Sequence, residues 1–382
     1  MKRDLFTPGP TNIPEEVMLE MAKPIIHHRT EEFENIFGNV REDIKELFGT
    51  KRDVIVLSGS GTLGMEAAVI NTLSEGDKVL IVNAGKFGER WIEIAKTYNL
   101  DVISIDIEWG HSVNPDIVID TVKKNPSIKA VLVQAGETST TTCHPIKEIG
   151  TALKAIDGPL FIVDGIIYIG VSQAKMDEWG VDLFVSGSQK ALMLPPGLSF
   201  VAISERAEKQ LGKSSLPKYY ANLVKELKAQ RNYTTAYTPA ISLILGLKKS
   251  LDLIKKEGLE NVHLRHRIMA EMTRKAISTL NLELLSKGIP SDGVTGIILE
   301  EKIAKDIINF AKYDLGITFA GGQGKLSGRV IRISHMGYCY YLNVIKAISA
   351  LELSLVKNNV DIKLGEGVKA AENVLKDHLI GK

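Results

Sequence analysis

The chain has 382 residues, 44% hydrophobic and 24% charged, with a formal net charge of +1. That length exceeds what a single hydrophobic core ordinarily serves, so a large domain and a smaller one are expected. The evenly scattered charge leaves no electrostatic footprint for nucleic acid or a membrane surface, no apolar run approaches the ~18 residues of a membrane span, and the two cysteines, Cys143 and Cys339, are too few for a disulfide framework or a thiolate metal site. With no secretory leader in its opening residues, the chain is expected to be cytoplasmic, with no bound metal.

Residues 1–15, punctuated by Pro8, Gly9, Pro10 and Pro14, cannot open with a regular helix or a central strand and are expected to form an extended arm. Short, continuously apolar, β-branched runs then recur at 54–57, 78–82, 102–105, 130–133, 160–163, 183–185 and 199–203, many with helical segments between them. Continuous rather than alternating apolarity marks strands buried on both faces, so the spacing predicts an α/β architecture with a seven-stranded, mainly parallel sheet. A helical pattern from Pro239 to Gly258 reads as the connector that closes a large domain spanning 16–257. Beyond it a long helix after Leu259, strands near 296–299 and 330–334, and helices around 304–313 and 343–356 predict a smaller α+β domain over 258–382.

Ligands of open α/β sheets bind beyond the carboxyl ends of the strands, which makes the residues just after each run the ones to inspect. After the first run, Ser58-Gly59-Ser60-Gly61-Thr62 leads into a helical segment; glycines, free helix-start amides and two hydroxyls would cup a phosphate, although a tight connection uses the same residues. After the second, Asn83-Ala84-Gly85-Lys86-Phe87-Gly88 puts an aromatic on a glycine-rich turn, either to stack on a flat ring or to fill core. The fifth delivers Asp164, a carboxylate suited to a cationic ring nitrogen such as a pyridinium, or else a helix cap. The sixth leads through Ser186-Gly187-Ser188-Gln189 to Lys190, whose small and apolar surroundings favour the free amine that forms Schiff bases.

The run from Val181 to Val201 matches position by position the lysine motif of the class V pyridoxal-phosphate aminotransferases, and the chain resembles their alanine–glyoxylate and serine–pyruvate branch from Pro8-Gly9-Pro10-Thr11-Asn12 to Gly328-Arg329-Val330-Ile331-Arg332-Ile333. The resemblance implies the fold type I of pyridoxal-phosphate-dependent transferases and pyridoxal 5'-phosphate as cofactor. It makes Lys190 the Schiff-base lysine and Asp164 the partner of the pyridine nitrogen, and places Ser60, Gly61, Thr62 and Gln189 around the cofactor phosphate. Phe87 stands where relatives often carry a stacking tryptophan, keeping the aromatic face without the indole; Thr138 stands at a hydroxyl position near the ring's phenolic oxygen, where serine is frequent. Arg332 corresponds to the arginine that receives the substrate carboxylate, with Arg329 as its competitor, and Gly9 to a residue lining the substrate pocket. The stretch Tyr233-Thr234-Thr235-Ala236-Tyr237-Thr238-Pro239 resembles the segment by which one subunit completes its neighbour's phosphate site, which implies a homodimer, with Tyr237 and Thr238 as the residues reaching across.

The implied activity moves the amino group of a small amino acid, serine or alanine, to a 2-keto acid, pyruvate or glyoxylate, with ping-pong kinetics. A cysteine desulfurase or other lyase of the same class is the alternative; such enzymes need a nucleophilic cysteine on a mobile loop and usually show His before the lysine, where this chain has Gln189. A nucleotide-binding protein of the Rossmann type is the rival from another class, but residues 58–62 lack the full dinucleotide fingerprint.

Overall fold

The seven apolar runs become one seven-stranded sheet in the computed structural model, which describes residues 3–381. Across the sheet the strands lie in the order Val54–Ser58, Leu198–Ile203, Leu183–Gly187, Leu160–Asp164, Ile128–Gln134, Lys78–Asn83 and Asp101–Asp106. Leu198–Ile203 pairs antiparallel with both of its neighbours. The other six strands point the same way, so their carboxyl ends share one edge of the sheet.

Strand side chains alternate between faces, and here both faces are apolar and covered. On one face Val54, Val56, Leu80, Val82, Val131, Val133, Phe161, Val163, Phe184 and Phe200 pack with Phe33, Phe37 and Ile44 of helix Glu31–Phe48 and with helix Ile241–Glu257. On the other face Ile55, Leu57, Val79, Ile81, Ala130, Leu132, Ile162, Val185 and Val201 meet Met65, Ala67 and Ala68 of helix Gly61–Thr72 and Trp91 of helix Lys86–Thr97. This two-sided burial is why the runs show no polar alternation. Gly258, at φ +85°, ends helix Ile241–Glu257, a conformation that side-chain-bearing residues rarely adopt.

The second sheet has five strands in the order Asp4–Phe6, Ile317–Gly321, Val330–Ser334, Val294–Ile298 and Glu283–Leu284. Its core joins Phe6, Ile297, Phe319, Ile331 and Ile333 to helices Leu259–Thr279 and Tyr341–Lys357. The extended N-terminal arm therefore enters this sheet as an edge strand, parallel to Ile317–Gly321 and in register from Asp4 against Ile317 to Phe6 against Phe319. Short strands Gly136–Glu137, Thr142–Cys143 and Ile289–Pro290 form a third sheet that ties the segment after strand Ile128–Gln134 to the one before Val294–Ile298. Among the described residues no helix is long and apolar enough to cross a membrane.

Phe184 carries much of the central packing: it is fully buried, edge-on to Phe48 at 6.0 Å, and lies so close under Gly165 that a Cβ there would come within 2.4 Å of it. Phe184→Ala is expected to lower stability by about 3–5 kcal/mol, read as a shift in the urea unfolding midpoint.

Candidate active site

The loaded residues lie on the shared carboxyl edge of the large sheet. Asp164 is the last residue of strand Leu160–Asp164, flanked in register by Gln134 and Val185. Its carboxyl is 3% exposed, and one oxygen accepts from the Ile166 N–H at 2.8 Å; no second hydrogen bond to it is found among the described residues. Burial pushes this carboxyl up to about 7, the charge of Glu137 adds to the rise, and the Ile166 N–H, Lys190 and Arg90 oppose it.

Lys190 follows strand Leu183–Gly187 on a loop pinned at several points. The Ser188 hydroxyl donates to the Pro195 carbonyl and accepts from the Leu198 N–H, Thr11 donates to the Lys190 carbonyl at 2.9 Å, and Ser250 donates to the Leu192 carbonyl. The side chain is buried, and its amine donates to the carbonyl of Pro8 in the N-terminal arm. Burial lowers the amine to about 8; Asp164 pulls it upward, while Arg332 and Arg90 push it further down. Gly9, at φ +142°, lies directly against it: a Cβ there would fall 2.5 Å from Nζ, so the arm can lie this close only with glycine.

Ser60 precedes helix Gly61–Thr72 in an extended conformation and makes no side-chain cap, which leaves the helix start without a side-chain acceptor for its first amides. Arg90 reaches back to the Thr62 hydroxyl at 3.4 Å and lies over the Phe87 ring, 4.8 Å from its centroid. Gln189 Oε1 is buried, with no hydrogen-bond partner among the described residues. Phe87 occupies the first turn of helix Lys86–Thr97.

Arg332 projects from strand Val330–Ser334 of the second sheet and is buried. Its Nε donates to the Gly321 carbonyl at 2.9 Å and its Nη1 to the Thr138 carbonyl at 3.1 Å, with Gln323 Oε1 at 3.4 Å. No partner for Nη2 is found among the described residues, and burial lowers the guanidinium to about 10. Arg329, three residues earlier, is exposed. Tyr237 and Thr238 stand apart from this group: the Tyr237 hydroxyl donates to the Tyr219 carbonyl of the same chain, and Thr238 is exposed.

The comparisons with known proteins point the same way. The family described as "Aminotransferase class-V" matches residues 4–336. The chain belongs to the class V aminotransferases. Soluble hydrogenase 42 kDa subunit of Anabaena cylindrica is 38% identical to this class V chain, with 98% of each covered. Serine–glyoxylate aminotransferase of Methylorubrum extorquens is 36% identical, covering 100% of this chain and 98% of that protein. The solved ureidoglycine–glyoxylate aminotransferase of Bacillus subtilis superposes with a TM-score of 0.92 at 30% identity over 98% of both chains.

The residues of this class V chain fit the cofactor of its family. Among the described residues, a buried amine held only by a carbonyl, a buried carboxyl with one oxygen free of hydrogen bonds, an uncapped helix start and an orphaned Gln189 oxygen are groups that a flat, anionic, amine-reactive ligand would satisfy. Two residues not singled out from the sequence also belong to the site. Arg90 lies one helical turn beyond Phe87, and Glu137 lies beside Thr138 at zero exposure. Their signal was positional: Arg90 at i+3 from the aromatic, Glu137 two residues after Ala135 on a buried strand exit. Among the described residues no group of three or more His, Cys, Asp or Glu side chains is placed to hold a metal ion.

The lowered Lys190 amine should show in its reactivity. Reductive methylation of the cofactor-free protein, followed at residue 190 by peptide mass mapping, is expected to rise through a midpoint of about 8, well before ordinary lysines near ~10.4. Because the Asp164 charge is the one raising this amine, Asp164→Asn should move the midpoint lower; an upward movement would contradict the assigned electrostatics.

Proposed function

We propose that this class V aminotransferase uses pyridoxal 5'-phosphate linked to Lys190, and that it transfers the amino group of a small amino acid, serine or alanine, to glyoxylate or pyruvate. The observation that carries the reading is a buried lysine amine, donating to the Pro8 carbonyl and lowered to about 8, that feels the charges of a buried carboxyl at Asp164 and a buried guanidinium at Arg332. Pyridoxal phosphate, when bound, supplies an aldehyde that condenses with amines and a ring that accepts the electrons released at the substrate Cα.

The chain's own groups divide the remaining work. Lys190, its amine lowered to about 8 and so far easier to deprotonate than an ordinary lysine, takes the Cα proton and returns it. Asp164 holds the ring nitrogen protonated. Ser60, Gly61, Thr62 and Gln189 receive the phosphate at the start of helix Gly61–Thr72, and Arg90 adds a cation beside Thr62. Phe87 offers a ring face for stacking and Thr138 a hydroxyl near the phenolic oxygen. Arg332, with Nη2 unpaired, receives the substrate carboxylate, and Gly9 keeps the arm close without filling the pocket. Donor and acceptor use one site in turn, which gives ping-pong kinetics.

The small-substrate reading rests on Arg332 as the buried carboxylate receptor and on the name of the Methylorubrum relative; it follows the site chemistry rather than the subunit name of the Anabaena relative. A lyase that attacks through a cysteine is disfavoured, because Cys143 and Cys339 are both buried and burial pushes each thiol up to about 12. The proposal includes a homodimer in which Tyr237 and Thr238 complete the neighbouring phosphate site; exposed Tyr219 and Tyr220 beside Tyr237 form an aromatic surface suited to such a contact.

Two measurements test the reading. Borohydride treatment of the holoenzyme followed by peptide mapping is expected to place the cofactor adduct on Lys190, and Lys190→Ala to abolish turnover; an adduct elsewhere, or normal turnover in the variant, sinks it. Arg332→Lys is expected to lower kcat/KM for carboxylate-bearing donors roughly 10- to 100-fold, as for a lost charge-assisted hydrogen bond of about 1.5–3 kcal/mol. Arg329→Ala should leave that value unchanged, and equal losses in both variants would overturn the assignment to Arg332.

A further inference from the structure

Glu137 is a fully buried carboxylate that hydrogen-bonds the Phe87 turn and bears electrostatically on Arg332, and the proposed reaction gives it no task. One of its oxygens accepts from the backbone N–H of Phe87 at 3.0 Å and of Gly88 at 3.2 Å. The other accepts from the Ser139 N–H at 3.1 Å and the Ser139 hydroxyl at 2.5 Å, and that hydroxyl in turn accepts from the Lys86 N–H at 3.0 Å. Helix Lys86–Thr97 has glycine at its N-cap and no side-chain cap of its own. Its first three amides are thus closed from outside, by a carboxylate and a hydroxyl borrowed from the turn after strand Ile128–Gln134. Gly85 permits the approach: a Cβ there would lie 2.5 Å from both the Glu137 side chain and the Ser139 hydroxyl.

The same turn also reaches the guanidinium. Thr138, the residue after Glu137, carries the carbonyl that is the 3.1 Å acceptor of Arg332 Nη1. Among the described residues the direct partners of Arg332 are all neutral, namely the Gly321 and Thr138 carbonyls and the Gln323 amide. Glu137 is the acidic group whose charge bears on Arg332. We infer that Glu137 is a positioning residue that sets the ring at Phe87 and the carboxylate-receiving guanidinium of Arg332 through one buried, four-donor carboxylate. Stacking platform and carboxylate receptor are then fixed to each other rather than placed independently. The inference rests on the roles proposed above for Phe87 and Arg332.

Four donors converging on a carboxylate cannot all be satisfied by an amide, whose nitrogen is itself a donor. In the Glu137→Gln holoenzyme the Kd for glycolate, an unreactive small carboxylate read by calorimetry, is expected to rise about tenfold or more, and the visible circular dichroism of the bound cofactor to fall. Ser139→Ala, which keeps the charge but removes one donor and the Lys86 acceptor, should move both readouts in the same direction by a smaller factor. In an Arg332→Lys background Glu137→Gln should change the glycolate Kd by less than about twofold, because the group it acts through is already gone. A folded Glu137→Gln enzyme with wild-type Kd and dichroism overturns the inference, as does an undiminished effect in the Arg332→Lys background. If Glu137→Gln does not fold, Ser139→Ala decides alone, and wild-type values there overturn it. Failure of the wild-type enzyme to carry its cofactor on Lys190 would instead strike the underlying functional reading, so the two failures are told apart.

Discussion

Parallel strands buried on both faces impose a direction. Because six of the seven strands of the large sheet run one way, the turns after Ser58, Asn83, Gln134, Asp164 and Gly187 all open at the same edge. Residues more than a hundred positions apart in sequence are thereby brought to one pocket without any of them paying a separate folding cost. The apolar cover on both faces also removes water from that edge. Groups placed there titrate by burial first and by their neighbours second, as Lys190 and Asp164 both do.

Within the pocket acids and bases act on one another in both directions. Two acids, Asp164 and Glu137, lie among three cations, Lys190, Arg332 and Arg90; opposite charges offset part of the burial at Asp164, Lys190 and Arg332, while Glu137 adds to it at Asp164 and the two arginines add to it at Lys190. Few of these charges touch directly. Arg332 is held by carbonyls and Glu137 by amides and a hydroxyl, so the charged groups are oriented by neutral partners while their unpaired edges stay available to a ligand. A direct Arg332–carboxylate ion pair would have consumed the edge that a substrate needs.

Much of this was legible in the sequence, for identifiable reasons. The seven strands announced themselves because burial on both faces forces uninterrupted β-branched runs, and Lys190, Asp164 and the turn at 58–62 stood out because strand exits of such a sheet are where chemistry collects. Arg332 could be preferred over Arg329 but not separated from it by period alone; burial separates them, since one faces the pocket wall and the other the solvent. Strand Ile317–Gly321 was not anticipated, because its run is half-buried and dissolves into Gly321-Gly322, and helix Glu366–Leu379 has a mixed charged face that reads like a solvated tail. Glu137 was hidden for a different reason. Its significance lies in donors from residues 87 and 88, some fifty positions away, and no local pattern carries a contact of that range.

The N-terminal arm gives the two sheets a common stake in the lysine. Phe6 is paired with Phe319 in the smaller sheet, and within five residues the same strand of chain places the Pro8 carbonyl on the Lys190 amine and the Thr11 hydroxyl on the Lys190 carbonyl. Between these anchors residues 7–10 form a bend in which the Thr7 hydroxyl donates to the Pro10 carbonyl at 2.6 Å. One short bend is thus moored at one end in the smaller sheet and at the other on the lysine, so the seat of the nucleophile is built from both sheets at once.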